Sequence, residues 1–248
     1  GVIGEKGGLP GGVEGGSLKL KPSPTLFDFD FTKCADSIAI IPTSSGNSNG
    51  VMANQRASKV WGTVLGTSPF HPKTGIHRFA VQLDKCERGH VFVGVTTSQA
   101  SVKTYVGGDK FGWGFIGTQA LWHERSKIRG DYGATFRSGA TVVVTLDTDA
   151  GTLRFGLWKD AQQQTSQEAG LLASPMSLAS PRRGNGGPLL EDWGIAFEGL
   201  PLDVRLYPAV GLYQRDDKVT LLSASVPDKN IPGNRGFASF TGEDDGHK

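Results

Sequence analysis

Apolar and polar residues alternate with a period of two through most of this chain, and each stretch that does so predicts a half-buried strand. "FDFDF" (Phe27 to Phe31) sets three phenylalanines on one face and two aspartates on the other. "HRFAVQLD" (His77 to Asp84) puts Phe79, Val81 and Leu83 on one face, and "VFVGVTT", "TVVVTLD" and "GTLRFGLW" are β-branched or aromatic runs. "LDTDAGTLRF" predicts a hairpin, with Gly151 free to take a positive φ in its turn. "LYPAVGLY" and "KVTLL" read as a second pair joined by the charged turn "QRDD". No segment keeps a helical period; "SQEAGLLA" has room for about two turns. Many short strands without intervening helices predict an all-β, two-sheet antiparallel β-sandwich of jelly-roll-like kind. No internal repeat at a solenoid or propeller period is present.

Composition then divides the chain. Residues 1–25 are Gly- and Pro-rich and read as a linker or extension, 26–226 as the sandwich, and 227–248 as a polar tail. Within the sandwich, residues 159–192 hold no aromatic residue and no strand pattern. That is too long for an ordinary connection, so a mobile, disordered insertion is expected. Inside it Ser180 precedes "PRR", a candidate for proline-directed phosphorylation, which would add about −1.5 to −2 charge beside Arg182 and Arg183. The plainer reading is a Ser-Pro pair without a role in a disordered loop. The start has no apolar signal-peptide core, and no apolar run approaches the ~20 residues that span a bilayer. Cys34 and Cys86 are too few for a disulfide framework and read as reduced thiols. The expectation is a segment of a longer protein, cytoplasmic or nuclear, monomeric when isolated, with no membrane contact.

Charge and chemistry narrow the functions further. A net charge of +2 gives no global field for nucleic acid. Gly112, Gly114 and Gly117 match the spacing G-x-G-x-x-G, but a dinucleotide site needs a βαβ unit around that spacing, a kinase needs its downstream motifs, and a Walker A loop needs Gly-Lys-Ser/Thr. None accompanies it. The glycines read instead as turn positions (Gly107, Gly108) and as clearance where the backbone passes the Trp113 indole. His71, His77, His90, His123 and His247 show no metal-ligand spacing, so neither a metal nor another cofactor is expected. His123 and Glu124 are adjacent, and strand neighbours face opposite ways. Asp28 and Asp30 could serve as paired carboxylates or Ca²⁺ ligands, against the plainer reading of a solvated face opposite buried phenylalanines. "HERSKIRGD" is basic but interrupted by acids, and reads as a solvated loop.

Five segments occur in order: "WGTVLG"; "GIHRFAVQLD" with "VFVGV"; "YVGGDKFGWGFIG"; "GDYGATFRSGATVVVTLDTDAGTLRFGLW"; and "LPLDVRLYPAVGLYQRDDKVTLL". Together they resemble the SPRY (B30.2-like) domain over roughly Leu26 to Ser225. The long insertion departs from the usual pattern. Together with "DKCERGHVFVGV", "IGTQALWH" and "LYQRDDKVTLL" it resembles SPRY domains embedded in very large HECT-type ubiquitin ligases. The resemblance implies two sheets packed face to face, with a core of Phe27, Phe29, Phe31, Trp61, Phe79, Val81, Phe92, Val95, Trp113, Val142, Val144, Leu146, Leu153, Phe155, Tyr207 and Val210. It also implies a partner surface on three loops: Asn54, Gln55 and Arg56; Ser101, Val102 and Lys103; and Tyr213, Gln214, Arg215 and Asp216. SPRY proteins that read peptides through a Trp after the last strand have no counterpart here, so their ligand motif does not transfer.

The expected function is therefore non-catalytic recognition of a protein or peptide segment, serving a large ubiquitin ligase. Two alternatives stand beside it. One is a scaffold domain packed within a giant multidomain chain. The other is a glycan-binding sandwich, for which Trp122 and Trp158 are the candidate platform.

Overall fold

The computed structural model describes residues 28–42, 51–159 and 189–222. Phe27, Ser180, the 1–25 extension, the 227–248 tail and the greater part of the expected insertion lie outside the described residues. The described chain forms β1 Phe29–Cys34, β2 Ile38–Pro42, β3 Val51–Gln55, β4 Gly62–Gly66, β5 Ile76–Lys85, β6 Val91–Thr96, β7 Gly112–Ile116, β8 Ala120–His123, β9 Ser126–Arg129, β10 Thr141–Asp147, β11 Thr152–Lys159, β12 Leu189–Phe197, β13 Tyr207–Leu212 and β14 Lys218–Leu222. These make two 7-stranded antiparallel sheets, in the orders β1-β4-β13-β6-β7-β8-β9 and β12-β11-β10-β5-β14-β3-β2. Among the described residues no helix is long and apolar enough to cross a membrane.

Strand alternation builds the core. Phe79, Val81 and Leu83 of β5 lie beside Val142 and Val144 of β10 and share the core with Val93 and Val95 of β6 and Val210 of β13 in the opposite sheet, all fully buried. Phe115 lies at the centre of an aromatic group, with ring centroids 5.5 Å from Tyr132, 5.4 Å from Phe136 and 5.2 Å from Phe155. The β10–β11 hairpin forms as its sequence predicts, with Gly151 at φ 63°.

Several strand-level expectations need correction. Phe31 is 70 % exposed, whereas Phe29 is buried. The register between Phe29↔Gly66 and Cys34↔Val64 is irregular, and Asp30 Oδ1 accepts the Thr32 amide at 2.7 Å. This bulge breaks the alternation that would have carried Phe31 inward. β13 and β14 are not a hairpin: β13 lies between β4 and β6 in one sheet, β14 between β5 and β3 in the other. Residues 213–217 cross the sandwich. "HERSKIRGD" is not a loop but the β8–β9 hairpin, turning through Glu124 and Arg125 at φ 51° and 63°. Strand pairing reaches into both ends of the expected 159–192 insertion: Lys159 pairs with Leu189, Trp158 with Leu190 and Leu157 with Glu191. Lys159 Nζ also lies 2.8 Å from Glu191 Oε2.

Trp61, Phe92 and Tyr207 were expected in the central core and instead join a second apolar cluster on the outer face of the β1-to-β9 sheet, with Leu65, Val106, Ile116 and Ala209. Residues 97–111 cover that face. The cover explains why β4, β6 and β7 are buried at every position.

Three acidic hydrogens are held in place by this packing. Burial, aided by Asp36 and Asp30, pushes the Cys34 thiol up to about 11. Burial and Asp217 push Cys86 up to about 12, and burial pushes Tyr132 up to about 12. Each folded-state value is raised, so this part of the stability is complete below the unfolded thiol's pKa of 9.0 and is lost as pH climbs toward 12. The urea midpoint is expected to fall from pH 8 to pH 11, and to fall less steeply in Cys86→Ala. An equally steep decline in that variant would remove Cys86 from the account.

Candidate functional site

β3 ends at Gln55, whose side chain is fully buried. Its Nε2 donates to the carbonyls of Val60 (3.0 Å) and Leu212 (3.2 Å), and its Oε1 accepts the Ala57 amide at 3.0 Å. The Gln55 amide donates to the Asp217 carbonyl, and the Asp216 amide, at φ 70°, returns a bond to the Gln55 carbonyl. Asp217 Oδ2 accepts the Gln214 amide at 2.8 Å. Burial pushes the Asp217 carboxyl up, against the pull of these amides and of nearby cations. The 55–60 turn and the 213–217 crossing are thus tied into one unit.

The third segment joins through β4. The Thr63 amide donates to the Val102 carbonyl at 2.8 Å and the Thr63 hydroxyl to the Thr104 carbonyl at 2.6 Å. Asp109 braces the same loop, with Oδ2 accepting the Ser101 amide and Oδ1 the Phe111 amide, both at 2.9 Å. The segments meet on Trp61, half-buried, with ring centroids 4.7 Å from Tyr213, 5.4 Å from Tyr105 and 5.2 Å from Phe92. His90 abuts the far side of the group, 5.6 Å from Tyr213.

The structure therefore brings the three expected loops together, but not all of their residues outward. Arg56, Ser101, Lys103, Arg215 and Asp216 are exposed, and Tyr213 and Gln214 half-buried. Val102 packs on both apolar clusters. Gln55 belongs to the scaffold, since a buried amide with its hydrogen bonds filled has nothing to offer a partner. Asn54 neighbours core-facing Ala53 on β3 and so points to the outer side of the other sheet, away from Trp61. Beside Tyr213 a cleft of about 410 Å³ opens, and the β5–β6 turn supplies Lys85, Glu87 and Arg88 to its wall. Those residues, and the packing of Trp122 on Tyr105, escaped sequence reasoning. The turn "DKCERGH" carries the charges, but only the fold places it beside residues 213–217.

The glycine fingerprint is a strand and a hairpin. β7 runs directly into β8, and no helix N-terminus follows to cradle a phosphate. The glycines clear a path, though not past the indole: Trp113 faces the core, whereas Gly112 and Gly114 face the other way. A Cβ at Gly114 would collide with the Val106 carbonyl, one at Gly112 would lie 2.9 Å from the Gly107 nitrogen, and one at Gly117 2.8 Å from the Gly89 oxygen. They let the 97–111 loop and the 89 turn lie flat on the sheet.

Catalytic pairings do not survive the geometry. Thr74 Oγ1 lies 2.6 Å from both the His71 carbonyl and His77 Nε2. A carbonyl only accepts, so Thr74 spends its one proton there and His77 Nε2 must donate. It is therefore no base for Thr74. His123 Nδ1 likewise donates to the Gly112 carbonyl at 2.7 Å, with its ring stacked on Trp113. Asp30 is bonded to Thr32 and Asp28 to the Phe29 amide, so they do not act as a pair. No group of three or more His, Cys, Asp or Glu gathers among the described residues. Trp122, one of the two candidates for a glycan platform, is set edgewise against Tyr105 and Phe92.

Residues 76–167 match the family model described as the SPRY domain. Over that segment the chain is similar to the SPRY family. A search of curated proteins finds no match. Among solved structures, the SPRY domain of human HERC1 is similar at 18 % identity and a TM-score of 0.53, covering 80 % of this chain and 99 % of that one. A further human SPRY domain is similar at 15 % identity and a TM-score of 0.50, covering 76 % and 99 %. At these identities the likeness speaks for the fold, and it extends the SPRY architecture beyond the matched segment. SPRY domains are protein-interaction modules rather than catalysts.

Proposed function

We propose that this SPRY domain recognises a segment of a partner protein, without catalysis, through the loop surface around Trp61. The observation that carries this reading is the convergence of the 55–60, 97–111 and 213–217 segments on that indole. Their backbones are tied to each other and to the sheet, and Arg56, Lys103, Arg215 and the Tyr213 ring are left at the surface. Such a surface is preformed, so little ordering entropy opposes binding. Arginine and tyrosine are also frequent anchors at protein interfaces.

The sequence resemblance to SPRY domains of very large HECT-type ligases supports placing the domain in a ubiquitin ligase, where it would select substrates or partners. The unpaired Cys34 and Cys86 support an intracellular setting. The test starts with a partner captured by the full chain and then purified. Arg56→Ala, Tyr213→Ala and Arg215→Ala combined are expected to weaken its binding by roughly tenfold or more. Unchanged affinity in a folded triple variant would remove this surface from the account.

Docking within the domain's own larger chain is favoured by a different observation. Phe31 and Ile76 are 70 % and 61 % exposed. If replacing both with Ser abolished a self-association of this chain while leaving partner binding intact, that second role would stand.

A further inference from the structure

We propose that the cleft between the 56–60 turn, the β5–β6 turn and residues 213–217 receives an acidic stretch of the partner, a peptide segment carrying Asp, Glu or a phosphorylated residue. The inference rests on the recognition role proposed above and specifies its ligand.

Three separate elements bring cations to one cleft of about 410 Å³: Lys59, Lys85 and Arg88, and Arg215. Lys85 is already engaged, 3.7 Å from Asp216. Lys59, Arg88 and Arg215 are exposed and have no ion-pair partner among the described residues. The carboxylates nearby do not answer them. Asp217 is buried and turned onto the amides of Tyr213 and Gln214, which leaves Glu87 alone against three unpaired cations. With a whole-chain charge of only +2, this concentration is local. The rim segments are tied to each other, the Val60 amide donating to the Tyr213 carbonyl at 3.3 Å and the Asp216 amide to the Gln55 carbonyl at 2.8 Å.

The dimensions decide between occupants. A cleft of this size takes one or two side chains, whereas a nucleic acid needs a cationic track along its backbone. Gln214 of the lining follows Tyr213 directly in the chain, and Tyr213 packs on Trp61, so an apolar neighbour of the acidic residue would have these rings within reach. Charge-assisted bonds to two arginines would supply orientation.

The experiment titrates the full chain into three fluorescein-labelled probes: a short degenerate peptide library with Asp and Glu among aromatic residues, its Asn/Gln counterpart, and single-stranded DNA of similar length. The acidic library is expected to bind best, to weaken with salt, and to lose roughly tenfold in affinity in Arg88→Glu/Arg215→Glu. Lys127→Glu on β9 should leave binding as it was. Equal binding of the acidic and Asn/Gln libraries, lost in Tyr213→Ala but kept in the double reversal, would keep the recognition surface and overturn the acidic ligand. DNA bound as tightly as peptide, with the same sensitivity, would replace the peptide by a nucleic acid. Failure of all peptides would overturn both readings. Both arginines are exposed, so a thermal melt unchanged in the double reversal confirms that the fold is intact.

Discussion

Gly114→Ala is expected to destabilise the domain by roughly 3 kcal/mol, the upper end of what overpacking costs. The new methyl would enter the Val106 carbonyl and come within 2.8 Å of the Val106 carbonyl carbon and 3.0 Å of Phe92 Cδ1. The first obstacle is backbone, which cannot rotate aside as a side chain could. Two responses are open to the protein: the strand shifts, or residues 97–111 lift off the sheet. The second would break the bonds from Thr63 to Val102 and Thr104. Urea unfolding measures the first, and hydrogen exchange at the Thr63 amide reports the second. Gly130→Ala is the matched control: there a Cβ meets only Lys127 Cδ, at 3.9 Å, and the change should stay within about 0.5 kcal/mol. If both variants were equally stable, the close approach of loop and sheet would be wrong.

Trp61→Ala should be the most damaging change at the candidate surface. The indole touches Tyr213, Tyr105 and Phe92, one from each segment that it joins and one from the sheet beneath. A fully buried Trp costs about 3–5 kcal/mol on truncation. Trp61 is only half-buried, so roughly 2–3 kcal/mol is expected, together with a loss of partner binding larger than that of Arg215→Ala. The arginine variant separates the two effects, because an exposed side chain can be removed without loosening the base. Trp61→Phe should recover most of the stability and part of the binding. A Trp61→Ala protein that kept full affinity would mean that the three loops bind independently of their common support.

Strand positions were readable from the chain because alternation is a direct imprint of the pleat. Phe79, Val81 and Leu83 went where their spacing put them. What alternation could not reveal is which of two apolar faces meets the central core. Phe92 and Tyr207 sit on strands covered on both sides, Trp61 just before one, and only the path of residues 97–111 makes their side an apolar one. Phe31 failed for a local reason, the bulge held by Asp30 and Thr32. The β13–β14 connection failed because a short charged link looks the same in sequence whether it turns within a sheet or crosses between two. The proximity of the three loops was foreseeable through family resemblance. Gln55 was not recognisable as scaffold, since its role rests on carbonyls as distant as Leu212, and the β5–β6 turn was not visible as a neighbour.

The placement of the last two strands governs how the chain can be made. β13 fills the gap between β4 and β6, and β14 the gap between β5 and β3. Before Tyr207 is made, neither sheet has its middle, and four strands present bare edges open to wrong pairing. Domains that close only on their final residues spend synthesis in an unfinished, adhesive state. A chain stalled or truncated before Tyr207 would not be a smaller version of this domain but two sheets each split in two, a substrate for chaperones and proteases.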